Sequence, residues 1–180
     1  MYTVCNTVKV KNTNRGGRLY SALLASAIEN GSIIFLGGLV AGEKEIRTAV
    51  VPTTALIEKE TPMLVMTPEI IYDQSRKATQ ALGNFINPAN KSFPVIPLEA
   101  FDEIEVSAEA FVGTPVVGKY AILDNASTKL KIVDTAPTTG HVLYGKITSS
   151  RKSAMPTFLG GNGTLFPTAY DLFNVEFIKL

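Results

Sequence analysis

The sequence predicts a mainly β protein: an antiparallel barrel or sandwich with one or two short helices and an extended N-terminal arm. Strand-like segments recur about every 8 to 12 residues with turn-forming residues between them, which is typical of barrels and sandwiches. The clearest strand pattern is residues 103–110 (EIEVSAEA), where polar and apolar residues alternate. Such alternation indicates a strand with one buried face.

The first third of the chain carries weaker signals. Residues 1–17 predict an extended arm that ends in the flexible segment Arg15-Gly16-Gly17. Residues 18–30 predict a short helix or an irregular turn, because their apolar residues recur at helical spacing. A strand is expected at 32–36. Residues 37–54 are loop-like, since they contain two adjacent glycines, a charged cluster and a proline.

A helix is expected in the middle of the chain. A short apolar strand pattern at 63–66 is followed by Thr67-Pro68-Glu69, which supplies an N-cap, a first-turn proline and an early acid. The predicted helix runs from residue 70 to about residue 82. Residues 84–98 contain three prolines and are predicted to run extended over the surface.

The second half of the chain is expected to consist of strands. The predicted strands lie at 120–123, 129–133, 142–148 and 172–180, and a long glycine-rich loop is expected at 149–164. No repeat or second core is evident. The predicted organisation is therefore an arm (1–17) followed by a single β-rich domain (18–180).

Composition excludes several classes of function. The 17 basic and 16 acidic residues leave a net charge of +1, which argues against nucleic-acid binding driven by bulk charge. A single cysteine, Cys5, excludes an internal disulfide and a cysteine-based zinc site. No signal peptide opens the chain, and no apolar run approaches the roughly 20 residues of a membrane span. We therefore expect a soluble protein made in a reducing cytoplasm.

One stretch resembles a nucleotide-binding loop. Residues 113–119 (GTPVVGK) fit the first seven positions of the pattern G-x-x-x-x-G-K-[ST]. Tyr120 replaces the Ser or Thr, however, and Pro115 removes one of the N–H groups that would surround a phosphate. The residues that follow are too few before the next turn to form the required helix. The pattern therefore predicts a turn between strands, and no cofactor is expected.

Catalytic signals are weak. His141 is the only histidine, and it follows Gly140 at the start of a predicted strand, where a surface turn residue is expected. The sequence contains no G-x-S-x-G nucleophile motif, and no pair of carboxylates stands out for acid–base work. The prediction is a protein that is not an enzyme. The alternative, a small enzyme, requires a cleft that contains His141 and a buried carboxylate.

Charge is segregated along the chain. Residues 1–18 contain four basic residues and no acid, whereas residues 99–109 contain five acids and no base. An extended basic arm and an acidic strand face suit a protein that docks into an assembly, although solvated charges would give the same pattern. The arm could be held by a neighbouring subunit or by its own. The candidate interface residues are Lys9, Lys11, Arg15 and Arg18 in the arm, with Glu103, Glu105 and Glu109 opposite them.

Four segments resemble a known family. They are 29–46 (ENGSIIFLGGLVAGEKEI), 64–77 (LVMTPEIIYDQSRK), 104–123 (IEVSAEAFVGTPVVGKYAIL) and 143–147 (LYGKI). Their apolar and turn patterns resemble small head proteins of tailed phages, described as capsid decoration, cement or head-fibre proteins. The resemblance covers about residues 28–148 and includes neither the basic arm nor the 149–164 loop.

The resemblance implies a non-enzymatic β-rich module on the outer surface of a phage capsid, made in the host cytoplasm. Such a module bridges neighbouring copies of the major capsid protein, and neighbouring copies of the module can associate. The resemblance implies neither catalytic residues nor a membrane partner. The alternative within it is a head-fibre or carbohydrate-binding module, which requires an exposed aromatic platform; the candidates are Phe158, Phe166 and Tyr170.

Overall fold

The fold comes from a computed structural model that describes residues 1–13, 18–68, 83, 85–158 and 165–180. Only the backbone is described at residues 13, 154–158 and 165–169. The described chain is mainly β, as predicted, and its strands form two sheets. One sheet is open and the other closes into a barrel.

The open sheet has seven strands in the order β1-β7-β12-β11-β9-β10-β8, and all of its pairs are antiparallel except β8–β10. Its strands are β1 (Cys5–Lys9), β7 (Glu103–Ser107), β8 (Phe111–Val112), β9 (Tyr120–Leu123), β10 (Leu130–Val133), β11 (Leu143–Phe158) and β12 (Leu165–Lys179). The longest pair, β11 and β12, forms the centre of the sheet and continues beyond it as a two-stranded ribbon.

The barrel closes in the order β2-β4-β3-β5-β6 and contains one parallel pair, β2–β4. Its strands are β2 (Tyr20–Leu23), β3 (Ile33–Leu39), β4 (Ile46–Val50), β5 (Met63–Val65) and β6 (Ser92–Pro97). A one-turn helix, α1 (Thr54–Ile57), connects β4 to β5. Because the barrel is closed, each of its five strands pairs with a neighbour on both sides, and none of them is an edge strand.

Two apolar clusters explain why the strands form. One fills the barrel with residues that include Ala22, Ile34, Val65 and Phe93. The other joins the opposite face of the barrel to the open sheet and includes Ile33, Phe35, Leu64, Ile104, Val106, Ile147, Val175 and Phe177. Because side chains alternate along a strand, Ile33 and Ile34 serve different clusters. The barrel and the sheet therefore share one core.

Several expected loops and one expected helix are strands. The helix or turn expected at 18–30 contains β2, because Ala22 packs inside the barrel. Residues 37–54 contain the end of β3 and all of β4. The proline-rich stretch 84–98 contains β6, whose Phe93 and Val95 fill the barrel. Burial in a closed sheet overrides these local signals.

The remaining predictions have mixed outcomes. The expected strands in the second half are present, with shifted bounds. The prediction of a loop at 149–164 is wrong over its described part, because residues 149–158 continue β11; β12 then begins at Leu165. The helix expected at 70–82 lies outside the described residues. Within the described part of the predicted arm, Cys5–Lys9 is extended as strand β1 and pairs with β7 of the same chain, whereas Lys11–Thr13 forms a 3-10 turn where an extended chain was expected.

Candidate interaction surface

The most exposed large apolar side chain among the described residues belongs to Phe101, at 78% exposure. It lies in the turn that connects β6 to β7, and its φ of 71° is in the left-handed region. That conformation is unfavourable for a bulky residue and persists only where the surroundings enforce it. An aromatic side chain that a strained backbone places in solvent is a reason to look for function at this turn.

Asp102 enforces the turn. Its side chain is buried, with the residue 2% exposed, and each carboxylate oxygen accepts a backbone hydrogen bond. Oδ1 accepts from the N–H of Lys11 at 2.9 Å, and Oδ2 accepts from the N–H of Glu99 at 2.7 Å. Charge-assisted bonds of this kind are among the stronger ones in proteins. One carboxylate therefore connects the arm to the turn.

Strand β12 holds the other side of the turn. The N–H of Phe101 donates to the carbonyl of Phe177 at 2.8 Å, and the N–H of Phe177 donates to the carbonyl of Asp102 at 2.9 Å. Phe177 itself is buried in the shared core. Phe101 is consequently fixed to the centre of the molecule although its ring is in water.

The arm also binds the second acid of this turn, Glu99. Glu99 accepts a hydrogen bond from the ammonium of Lys11 and another from the Nδ2 of Asn12 at 3.3 Å. The Lys11 bond is the main cause that lowers the pKa of Glu99, and the Asn12 bond adds to it. Asn12 also donates to the carbonyl of Pro97 at 3.0 Å. Lys11 thus supports the turn through both its backbone and its side chain.

Phe101 borders two depressions. A cleft of about 530 Å³ lies between the barrel and the ends of β11 and β12; its lining includes Arg18, Tyr20, Met63, Leu98, Phe101 and Lys179. A shallower depression on the arm side is lined by residues 8–11 and 99–102. We call the exposed turn, residues 99–102, together with these two depressions the Phe101 surface.

Two of the predicted acidic residues bind cations of the same chain. Lys9 donates to Glu103 at 2.8 Å, which raises the pKa of Lys9 and lowers the pKa of Glu103. Arg151 binds both oxygens of Glu105, with Nε to Oε1 at 2.5 Å and a terminal nitrogen to Oε2 at 2.6 Å. This bidentate pair lowers the pKa of Glu105 and raises that of Arg151.

The structure brings only some of the predicted interface residues together. Lys9 meets Glu103, and Lys11 and Arg18 border the Phe101 surface. Glu109 does not continue the strand face, because β7 ends at Ser107 and residues 108–110 form a 3-10 turn. Arg15 lies outside the described residues. Whether any of them contacts a partner stays a prediction.

Sequence reasoning missed the central residues of this surface. Phe101 had no predicted role, and Asp102 was counted only among the five acids of residues 99–109. A weak signal was present, since Asp is frequent in turns, where its carboxylate accepts hydrogen bonds from nearby backbone N–H groups. Arg151 was missed because it was assigned to a loop, whereas it lies on β11, close to β7 through β12.

The nucleotide-loop pattern is a turn between β8 and β9, as predicted. Gly113 and Gly118 have φ values of 98° and 92°, and strand β9 follows where a phosphate loop requires a helix. The ammonium of Lys119 binds Asp134 at 2.9 Å. The glycines therefore serve backbone geometry, and the lysine has a carboxylate partner within the chain.

The two alternative functions, a small enzyme and a carbohydrate-binding module, each required particular residues at a particular kind of site. His141 is half-buried, does not line the 530 Å³ cleft, and has its pKa lowered by desolvation against the opposing charges of Glu58 and Asp124. Tyr170 is 3% exposed and packs with Val4, so it is not part of an exposed aromatic platform. The side chains of Phe158 and Phe166 lie outside the description. Within the described residues, no cluster of His, Cys, Asp and Glu could hold a metal ion.

Comparison with known proteins identifies no relative: no family model, no curated protein and no solved structure matches the chain. Among the residues that the structure describes, no helix is both long and apolar enough to cross a membrane.

Proposed function

We propose that this protein is a non-enzymatic structural protein that binds the outer surface of a tailed-phage capsid. It stabilises the capsid by bridging neighbouring major capsid subunits, and copies of it lie next to one another there. Two lines of support carry the proposal. The first is the resemblance of residues 28–148 to phage head proteins, and the second is the Phe101 surface.

The exposed ring of Phe101 is the observation that carries the proposal furthest. Aromatic residues that insert into a pocket of a partner are frequent hot spots of protein interfaces. Fixing the backbone that carries the ring before binding lowers the entropic cost of association. Asp102 and Phe177 fix the backbone at Phe101 from two sides. A bridge that must resist mechanical load benefits from such a rigid anchor.

The ion pairs of the arm have a supporting role in this proposal. Lys9 and Glu103 neutralise each other within the chain, and Lys11 does the same for Glu99. Exposed ion pairs contribute about 0.2–1 kcal/mol each, so most of the binding free energy must come from apolar contacts. The paired charges instead hold the edge strand β1 and the turn in position. Of the arm cations that the structure describes, Arg18 is the one left to face the partner.

The experiment is to mix the purified protein with undecorated phage heads and to image the heads by electron cryomicroscopy. The proposal expects ordered added density at the junctions between capsomers. Heads that stay bare at saturating protein concentration would contradict it. Deleting the arm is a poor test, because the deletion also removes strand β1 from the sheet. Substitution of Phe101, with Val117→Ala on a remote exposed turn as a control, keeps the fold intact.

A further inference from the structure

We propose that the 530 Å³ cleft beside Phe101 is a peptide-binding site for an extended segment of a partner protein. The segment inserts an apolar side chain and presents a carboxylate next to it. Under the proposed function the segment belongs to the capsid subunit, and this inference rests on that function only for the identity of the partner.

The cleft is lined mainly by apolar groups. Tyr20 and Met63 face it from the barrel, Leu98 and Phe101 from the turn, and Leu143 from β11. Its volume of about 530 Å³ falls in the range of sites that enclose an apolar group of a ligand. The opening lies between the barrel and the open sheet, which pack on one shared apolar cluster. An apolar side chain entering it removes area from water at about 25 cal/mol per Å².

The charges at the cleft are predominantly positive. Arg18 and Lys179 line it, and among the described residues neither forms an ion pair. Among the described lining residues Glu99 is the one acid; Lys11 and Asn12 bind its two oxygens, and Arg18 also attracts its charge, while Lys179 is a second lining cation. The charge left for an occupant is therefore cationic, which favours a carboxylate.

Backbone pairing is not the mode of recognition here. The cleft contains Pro62 and Pro97, which have no N–H to donate. Strand β6, which ends at Pro97, already pairs with β2 and β5 on its two sides. An incoming segment therefore cannot extend the barrel as another strand. Recognition must come from side chains. The apolar and cationic lining favours an occupant that combines an apolar group with an acid.

The test is a selection from a random heptapeptide library on the immobilised full-length protein, followed by affinity measurement on the enriched peptides. We expect enriched peptides with Asp or Glu next to a Leu, Ile, Met or aromatic residue. In the Arg18→Ala, Lys179→Ala double variant, their affinity falls about tenfold, from two ion pairs worth roughly two- to fivefold each. The Asn or Gln analogue of each peptide loses the same factor on the native protein and no more on the variant.

The matched control is the Lys91→Ala, Lys152→Ala variant, which removes two exposed lysines outside the cleft lining and is expected to bind as the native protein does. No enrichment, enrichment without acidic residues, or equal affinity for the cleft variant would each overturn the inference. These outcomes are independent of the capsid experiment. Heads that bind while the selection fails would refute the peptide site alone, and bare heads with a successful selection would refute the capsid alone.

Discussion

The buried carboxylate of Asp102 accepts a hydrogen bond from the backbone N–H of Lys11 at 2.9 Å, across 91 positions of the sequence. The other oxygen accepts from Glu99 within the same turn. This one side chain therefore joins the N-terminal arm to the turn that presents Phe101. The described part of the arm belongs to the fold, and its loss would disturb the candidate interaction surface from a distance.

The first prediction concerns Asp102→Asn. The substitution keeps the shape but removes the charge, and the amide nitrogen that replaces one oxygen meets a backbone N–H. Losing a charge-assisted bond and leaving a donor unsatisfied should cost about 2–3 kcal/mol of unfolding free energy. Urea denaturation measures it. Asp134→Asn is the control, because Asp134 is exposed and, among the described residues, pairs with Lys119 alone; its change should stay within about 0.5 kcal/mol.

The second prediction separates two adjacent glycines of β3. A Cβ at Gly37 would lie 2.7 Å from the Oγ1 of Thr48 and 3.1 Å from a methyl of Val50, whereas a Cβ at Gly38 meets nothing within 4 Å. Rotating Thr48 away breaks its hydrogen bond to the carbonyl of Gly38. Gly37→Ala should therefore cost about 1–3 kcal/mol.

Gly38→Ala is the matched control for that experiment. Its added methyl group has room, and the loss of a glycine restricts the unfolded chain, so stability should be unchanged or higher by about 0.5 kcal/mol. Thermal denaturation of both variants decides the matter. Equal destabilisation would show that the two positions suffer from a general loss of glycine flexibility and not from the approach of β4.

These glycines also illustrate what the sequence could predict. The alternation in 103–110 is a local pattern of a strand with one covered face, and β7 was predicted from it. Gly37 and Gly38 were read as loop residues, because a glycine that permits close approach of a neighbouring strand is indistinguishable locally from a glycine in a turn. The prolines around β6 misled in the same way. Only the closed barrel decides between these meanings.

The candidate surface was less predictable than the fold. Opposite charges in the arm and in residues 99–109 did indicate that the two segments could meet, and Lys9 does bind Glu103. The sequence could not show whether the two segments meet within one chain or between neighbouring subunits. The position of Phe101 depends on Lys11 and Phe177, which are distant in sequence. Non-local hydrogen bonds of this kind leave no local pattern.

The third prediction uses His141, the only histidine of the chain. Burial lowers its pKa below the usual 6.5, and its Nδ1 has no hydrogen-bond partner within the described residues. The folded state therefore disfavours the protonated form. The contribution to stability is complete above pH 6.5 and is lost as the pH falls from there through the folded-state pKa.

The measurement is the melting temperature at pH 7.5 and 5.5 for the native protein and for His141→Gln. The native protein should lose more on acidification than the variant does. Glu99, Glu103 and Glu105 have lowered pKa values, so their stabilising contributions are lost only below about pH 4.5 and do not affect this comparison. An NMR titration of the imidazole with a midpoint above 6.5 would contradict the prediction.

The fourth prediction is that stability and binding change in opposite directions at Phe101. Asn tolerates the left-handed conformation far better than Phe does, and the Phe101 ring buries little area within the chain. Phe101→Asn should therefore leave the unfolding free energy unchanged or raise it by up to about 1 kcal/mol.

If the ring is the anchor of the interface, the same variant should bind undecorated heads at least tenfold more weakly. Urea denaturation and sedimentation with heads measure the two quantities, and Val117→Ala should change neither. A residue with a purely structural role would give the reverse result, a loss of stability with binding retained.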